Sequence, residues 1–83
     1  MCGEADSLWP GCPMAREAAA RAGKRAEVRA YADAGHLAFG LPIDPKSPGF
    51  GQLASLGGTA EGNHAARTDS WARAQAFLAE AFK

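Results

Sequence analysis

The sequence predicts an α/β fold, and one piece of such a fold rather than a closed domain. Three observations carry this. One stretch of strand-like alternation lies between two helical stretches rich in alanine. A long loop punctuated by glycine and proline separates that strand from the second helix. The large apolar residues are also too few for an independent core. The chain has 83 residues and is 47% hydrophobic, but much of that is alanine, and a chain this short buries only about 60–65% of its unfolded surface.

The elements follow in order. Met1 to Trp9 reads as loop, because Gly3, Asp6 and Ser7 favour turns and local side-chain to backbone hydrogen bonds. Pro10 and Pro13 suit the approach to a helix, and Pro13 to Ala22 is dense in strong helix formers. Met14, Ala18 and Ala22 fall on one stripe, with Arg16, Glu17 and Arg21 mostly off it. Gly23 stands where a helix ends in a left-handed conformation, and Lys24 and Arg25 sit where the helix dipole favours cations.

Val28 to His36 reads as a strand running out into a tight Gly-His loop. Ala26, Val28 and Ala30 point one way, and Glu27, Arg29 and Tyr31 the other. A loop at a sheet end can hold an imidazole free to move protons. Leu37 to Pro48 is broken by Gly40, Pro42, Pro45 and Pro48, so it is neither helix nor central strand. Gly49 to Gly62 continues the loop. From about Asn63 to Phe82 a second helix is expected, with Trp71, Ala74, Leu78 and Phe82 on one face, supported by Phe77 and Ala81. One strand flanked by two helices cannot make a sheet, and an unpaired strand edge is a liability. Residues 1–83 are therefore expected to form a single partial domain.

The formal net charge is zero, so no global field points to nucleic acid or an anionic membrane. No apolar run has the length of a membrane span, and the N-terminus lacks a charged-then-apolar signal. Cys2 and Cys12 form neither a disulfide framework nor a zinc spacing, which leaves reduced thiols in a cytoplasmic protein as the default expectation.

Several short motifs occur together in a fixed order: Gly3-Glu4-Ala5-Asp6, Trp9, the alanine-rich helix, Tyr31, Ala34-Gly35-His36, Gly57-Gly58-Thr59, and Asp69-Ser70-Trp71 through Phe77-Leu78. The arrangement resembles the C-terminal part of the acyl-CoA thioesterase and bile acid-CoA:amino acid N-acyltransferase family, which has the α/β-hydrolase fold. The resemblance spans essentially the whole chain. It implies a C-terminal α/β-hydrolase segment with an incomplete sheet. That family uses a Ser or Cys nucleophile, an Asp and a His, in that chain order. Gly3 to Asp6 matches its Gly-x-x-Asp, so Asp6 is the implied acid. Ala34 to His36 matches its Ala-Gly-His, so His36 is the implied base. In such a triad His36 takes the nucleophile's proton and later activates water or an amine, while Asp6 fixes the tautomer and stabilises the imidazolium.

The departures from the family pattern are as informative. A Gly-x-Ser/Cys-x-Gly nucleophile elbow is absent. Ser55 and Ser70 lack flanking glycines, and Cys12 sits in Gly-Cys-Pro with no strand before it. Ala32 stands where the family often has Pro after the strand tyrosine. The chain alone is thus expected to be inactive, as a base and its orienter without nucleophile or oxyanion hole. The resemblance implies an acyl-CoA or ester substrate in the intact enzyme, a missing N-terminal hydrolase core as partner, and no cofactor or metal. The rival expectations are an interaction piece that complements a separate hydrolase core, and a small independent helical protein.

Taken singly, the same residues have plainer readings. Asp6 alone is a turn or helix-capping residue. His64 is a polar residue near a helix start, and Asp33 and Glu4 are solvated loop acids, with Glu4 near enough to stand in as the acid. Trp9 and Trp71 read as packing residues, and Gly57-Gly58 as a turn, since no strand and helix frame it as a phosphate loop.

Overall fold

The computed structural model describes residues 1–83. The order is β1 (Cys2–Gly3), α1 (Gly11–Ala22), a 3₁₀ turn at Gly23–Arg25, β2 (Ala30–Tyr31), a second 3₁₀ turn at Phe50–Ala54, and α2 (Ala60–Ala81). The two strands pair in parallel, Cys2 with Ala30 and Gly3 with Tyr31. Parallel neighbours require a crossover connection, and α1 supplies it, so residues 2–31 form a minimal βαβ unit. The backbone bonds Cys2 N–H to Arg29 C=O (3.0 Å) and Glu4 N–H to Tyr31 C=O (2.9 Å) extend the pairing slightly at each end.

Three local expectations are corrected. The regular strand within Val28–His36 is only Ala30–Tyr31, because β1 offers a two-residue partner and the chain turns after Tyr31. Helix α1 begins at Gly11 rather than Pro13, with Pro10 as the residue before it and no side-chain cap. Its inward side is Cys12 with Ala15, Ala19 and Ala22, whereas Met14 and Ala18 face solvent. Gly23 takes a positive φ of 65°, but its ψ of −134° lies outside the left-handed helical region expected there, and its N–H reaches back to the Ala19 carbonyl.

Helix α2 starts at Ala60, three residues earlier than its apolar periodicity suggested. Thr59 caps it: its extended backbone turns the chain, and its hydroxyl accepts the Gly62 N–H at 2.9 Å. The first half of α2 buries Asn63, Ala66 and Ser70. The expected apolar face of the second half is present but uncovered, with Trp71, Phe77, Leu78 and Phe82 all exposed.

The core is correspondingly small. Ala34, Ala38 and Ala66 form its only buried apolar cluster, with Tyr31 and Phe39 packed partly against it. The molecule measures 40 × 31 × 14 Å with a radius of gyration of 13.4 Å, against about 12 Å for a compact chain of this length. A slab 14 Å thick has room for little more than one helix on a strand pair, which is why so few side chains are enclosed.

The cysteines overturn the reduced-thiol expectation. Cys2 and Cys12 are joined by a disulfide across a sequence separation of 10, with Cα atoms 5.1 Å apart. It fastens the start of α1 to β1, and both residues are buried.

Candidate functional site

The two strands deliver the site. Just beyond β1, the chain turns through Glu4 and Ala5, and the Asp6 N–H returns to the Gly3 carbonyl at 3.3 Å. Just beyond β2, a turn through Ala32 and Asp33 brings the Ala34 N–H back to Tyr31 (3.3 Å), while Ala34 accepts the Ala5 N–H at 2.9 Å. Parallel strands put their C-terminal ends on the same side, so both turns open at one edge of the sheet. Asp6 and His36, 30 residues apart in sequence, meet there with Asp6 Oδ2 3.2 Å from His36 Nδ1.

Asp6 is fixed by three partners. Its Oδ1 accepts the Leu8 N–H at 2.8 Å and the Trp9 N–H at 3.2 Å, the local bonding typical of an Asp that opens a turn. Its Oδ2 faces the imidazole. Burial pushes the Asp6 carboxyl upward. The Leu8 and Trp9 N–H groups and then His36 outweigh that, holding it below the usual carboxylate value. An ionised carboxylate can only accept, so the proton between the two groups sits on Nδ1. In the neutral ring Nε2 is then the acceptor nitrogen, the one a general base uses. The Asp6 side chain is 7% exposed and that of His36 26%, so the carboxylate is shielded and the imidazole is the more open to solvent. Trp9 packs edge-on to the imidazole, ring centroids 4.6 Å apart at 88°, and a cleft of about 280 Å³ adjoins the pair, lined in part by Met1, Trp9, Met14 and Phe39.

A third segment holds the two turns together. The Leu56 carbonyl accepts both the Ser7 N–H and the His36 N–H, each at 3.2 Å. Gly57 bridges to Asp6 and Gly58 to Ala34 in antiparallel fashion. Gly57 has φ 106°, and a Cβ there would run into the Ala5 carbonyl, so only glycine fits. Gly57-Gly58 is therefore more than the simple turn expected: it is the joint between both loops. Asn63, from the first turns of α2, closes the network with bonds to Gly35, Gly57 and Thr59. Arg67 holds the chain after His36, donating from Nε to the Leu37 carbonyl (2.8 Å) and from Nη1 to the Leu41 carbonyl (3.1 Å).

The remaining sequence candidates lie elsewhere. Glu4, the alternative acid, pairs with Arg16 on the surface. Asp33 contributes its carbonyl to the Thr59 N–H (2.9 Å). His64 packs edge-on to Phe50 at 5.4 Å, apart from the pair. Ser70 is buried in α2 against the Arg67 carbonyl. The sulfurs of Cys2 and Cys12 are in their disulfide. Trp9 packs against His36 while about half exposed, and Trp71 is partly exposed on α2. Tyr31 donates to Asp69 Oδ2 at 2.7 Å, and Arg73 reaches the same oxygen at 2.7 Å, a link from β2 to α2. Burial and then Asp69 push the Tyr31 hydroxyl upward, and Tyr31 and Arg73 hold Asp69 below its usual value.

Sequence reasoning missed Leu56 and Asn63 as parts of the site. Leu56 acts through its carbonyl, which leaves no side-chain signature, and Asn63 reads as a helix-start residue. No three His, Cys, Asp or Glu side chains converge as metal ligands. No helix is long and apolar enough to cross a membrane. No family profile, curated protein or solved structure matches the chain.

Proposed function

We propose that this chain is the acid–base portion of an α/β-hydrolase acting on acyl thioesters or esters, of the acyl-CoA thioesterase and bile acid-CoA:amino acid N-acyltransferase type. The observation that carries the reading is the Asp6–His36 pair: an ionised carboxylate on Nδ1 at 3.2 Å, at the shared end of two parallel strands. His36 Nε2 takes the proton of a Ser or Cys nucleophile as it attacks the acyl carbonyl. The imidazolium then returns that proton to the leaving thiolate or alkoxide. His36 next deprotonates water, or an amine acceptor, as it attacks the acyl-enzyme, and the imidazolium gives that proton to the departing Ser or Cys, which restores the starting state. Asp6 holds the ring and stabilises its positive charge throughout. The nucleophile and the oxyanion donors belong to a hydrolase core outside these residues.

The chain on its own is therefore without activity. Purified and assayed with acyl-CoA and simple esters, it is expected to show no turnover above the uncatalysed rate. Turnover that disappears in His36→Ala would contradict the placement of the nucleophile outside the chain.

The reading as an interaction piece has its own support. The molecule exposes 5640 Å², where a compact monomer of its 8.6 kDa would expose about 4,700 Å². The excess is similar to one partner's share of an ordinary interface, about 800 Å². The uncovered row of Phe77, Leu78 and Phe82 is apolar in the way such a share requires. A hydrolase core docked there is expected to co-purify with the chain, and a stable, well-dispersed monomer argues against it.

The cytoplasmic expectation rested on free thiols. The Cys2–Cys12 bond is the chemistry of an oxidising compartment and weighs against it. Thiol labelling of the protein as isolated decides: no label before reduction supports the oxidising setting, and two labelled cysteines restore the cytoplasmic one.

A further inference from the structure

Asn63 is the one large side chain fully closed off from solvent, and its bonding groups are all in use. Its Oδ1 accepts the Gly35 N–H at 2.9 Å, and its Nδ2 donates to the Gly57 carbonyl at 3.0 Å and the Thr59 carbonyl at 2.7 Å. Burying an amide is unfavourable unless it is bonded in this way. Helix α2 does not require it as a cap, since Thr59 already fills that role. What Asn63 joins are the segments on either side of the acid–base pair. Gly35 immediately precedes His36, and Gly57 follows Leu56, whose carbonyl accepts the N–H groups of both Ser7 and His36. The Gly35–His36 backbone is thus held at consecutive N–H groups, by Asn63 at the first and by Leu56 at the second.

We propose that Asn63 is a positioning residue for His36. By fixing the Gly35 N–H it sets the direction in which the His36 side chain leaves the backbone, so that Nδ1 meets the Asp6 carboxylate and Nε2 keeps its lone pair. The proposal rests on the acid–base reading above and adds a residue to it that touches neither the acid nor the base. A merely structural role would lower stability and leave the ring's proton where it was in every molecule that stays folded. A positioning role moves the proton.

Nitrogen NMR of the imidazole rings in the 83-residue chain separates the two, recorded well above the ordinary histidine titration near about pH 6.5. His64→Gln assigns the second ring. Wild-type His36 is expected to carry its proton on Nδ1. In folded Asn63→Ala it shifts toward the Nε2–H form that free imidazole prefers. Ser70→Ala, at another buried position of α2, leaves it unchanged. Asn63→Asp keeps an acceptor for Gly35 but loses both donors, and is read in the same way with a smaller shift. Folded Asn63 variants that retain the Nδ1 proton overturn the proposal. Should neither variant fold, hydrogen exchange of the wild-type Gly35 amide decides: slowing of more than about tenfold sustains the tie, and exchange at the unprotected rate overturns it. A wild-type ring with its proton on Nε2 contradicts the acid–base reading itself, a result distinct from failure of the Asn63 variants.

Discussion

The two halves of α2 differ in residues and in surroundings. From Thr59 to Ser70 the helix is capped by a hydroxyl, buries Asn63, Ala66 and Ser70, and reaches through Arg67 into the loop after His36. From Trp71 onward it carries larger apolar side chains, yet Phe77 and Phe82 are 73% and 82% exposed. Hydrophobicity alone would have buried the second half first. The order is reversed because the first half meets loops whose backbone groups need partners, and an Asn, a Thr and an Arg supply them. The region around Asp6 and His36 is held by directed polar bonds and close glycine contacts, while the apolar end of the helix is left exposed.

Changes that strike the polar joint should therefore cost far more than changes on the apolar end. The largest effect is expected at Gly57. Gly57→Ala forces a Cβ against the Ala5 carbonyl at a positive φ, and should destabilise by about 3 kcal/mol or more, or prevent folding. Urea unfolding measures it, and a loss below about 1 kcal/mol would show that the joint yields easily.

Next in size is the disulfide. Cys2→Ser with Cys12→Ser opens the loop that contains Asp6, and should cost about 2–3 kcal/mol in the same unfolding measurement. Reduction of the wild type should lower its stability to match.

A smaller effect is expected on acidification. Asp6 is held below its unfolded value, so its contribution is complete above the ordinary carboxylate pKa of about 3.9. It is lost as pH falls from there through the lowered folded value. Asp6→Asn should flatten this acid limb and leave only the part due to Asp69, which is lowered as well. An unchanged limb would mean that the Asp6 bonds do not persist in solution.

The smallest effect is predicted on the uncovered face. Leu78→Ser should change stability by no more than about 0.5 kcal/mol, because the side chain already faces water. A loss above about 1.5 kcal/mol would show that this half of the helix is packed against something in solution, and the contrast between the halves would fall.

Much of the architecture could be read before the structure was seen. The alanine-rich runs and the Gly and Pro punctuation located both helices, and the alternation through Val28–Tyr31 located β2. The partnership of Asp6 with His36 came from the order of short motifs, since neither residue alone signals catalysis. Other features had no readable signature. Two cysteines separated by 10 bond only if the fold brings their backbones close, and spacing does not encode that distance. The shared Leu56 carbonyl is main chain, and Asn63 earned its place through three loops that meet only in the folded molecule. The stripe assigned to Met14 and Ala18 failed because the exposed side of α1 has no sheet to lie on here.

Under the reading we propose, Asp6 and His36 are the acid and base of a hydrolase whose nucleophile lies elsewhere. The most direct test is to sequence the source DNA upstream of Met1, translate it, and assay the product of any longer reading frame with acyl-CoA and esters. An in-frame Gly-x-Ser/Cys-x-Gly elbow is expected, with turnover that falls by several orders of magnitude in His36→Ala. A longer product without that elbow, or turnover indifferent to His36, would contradict it.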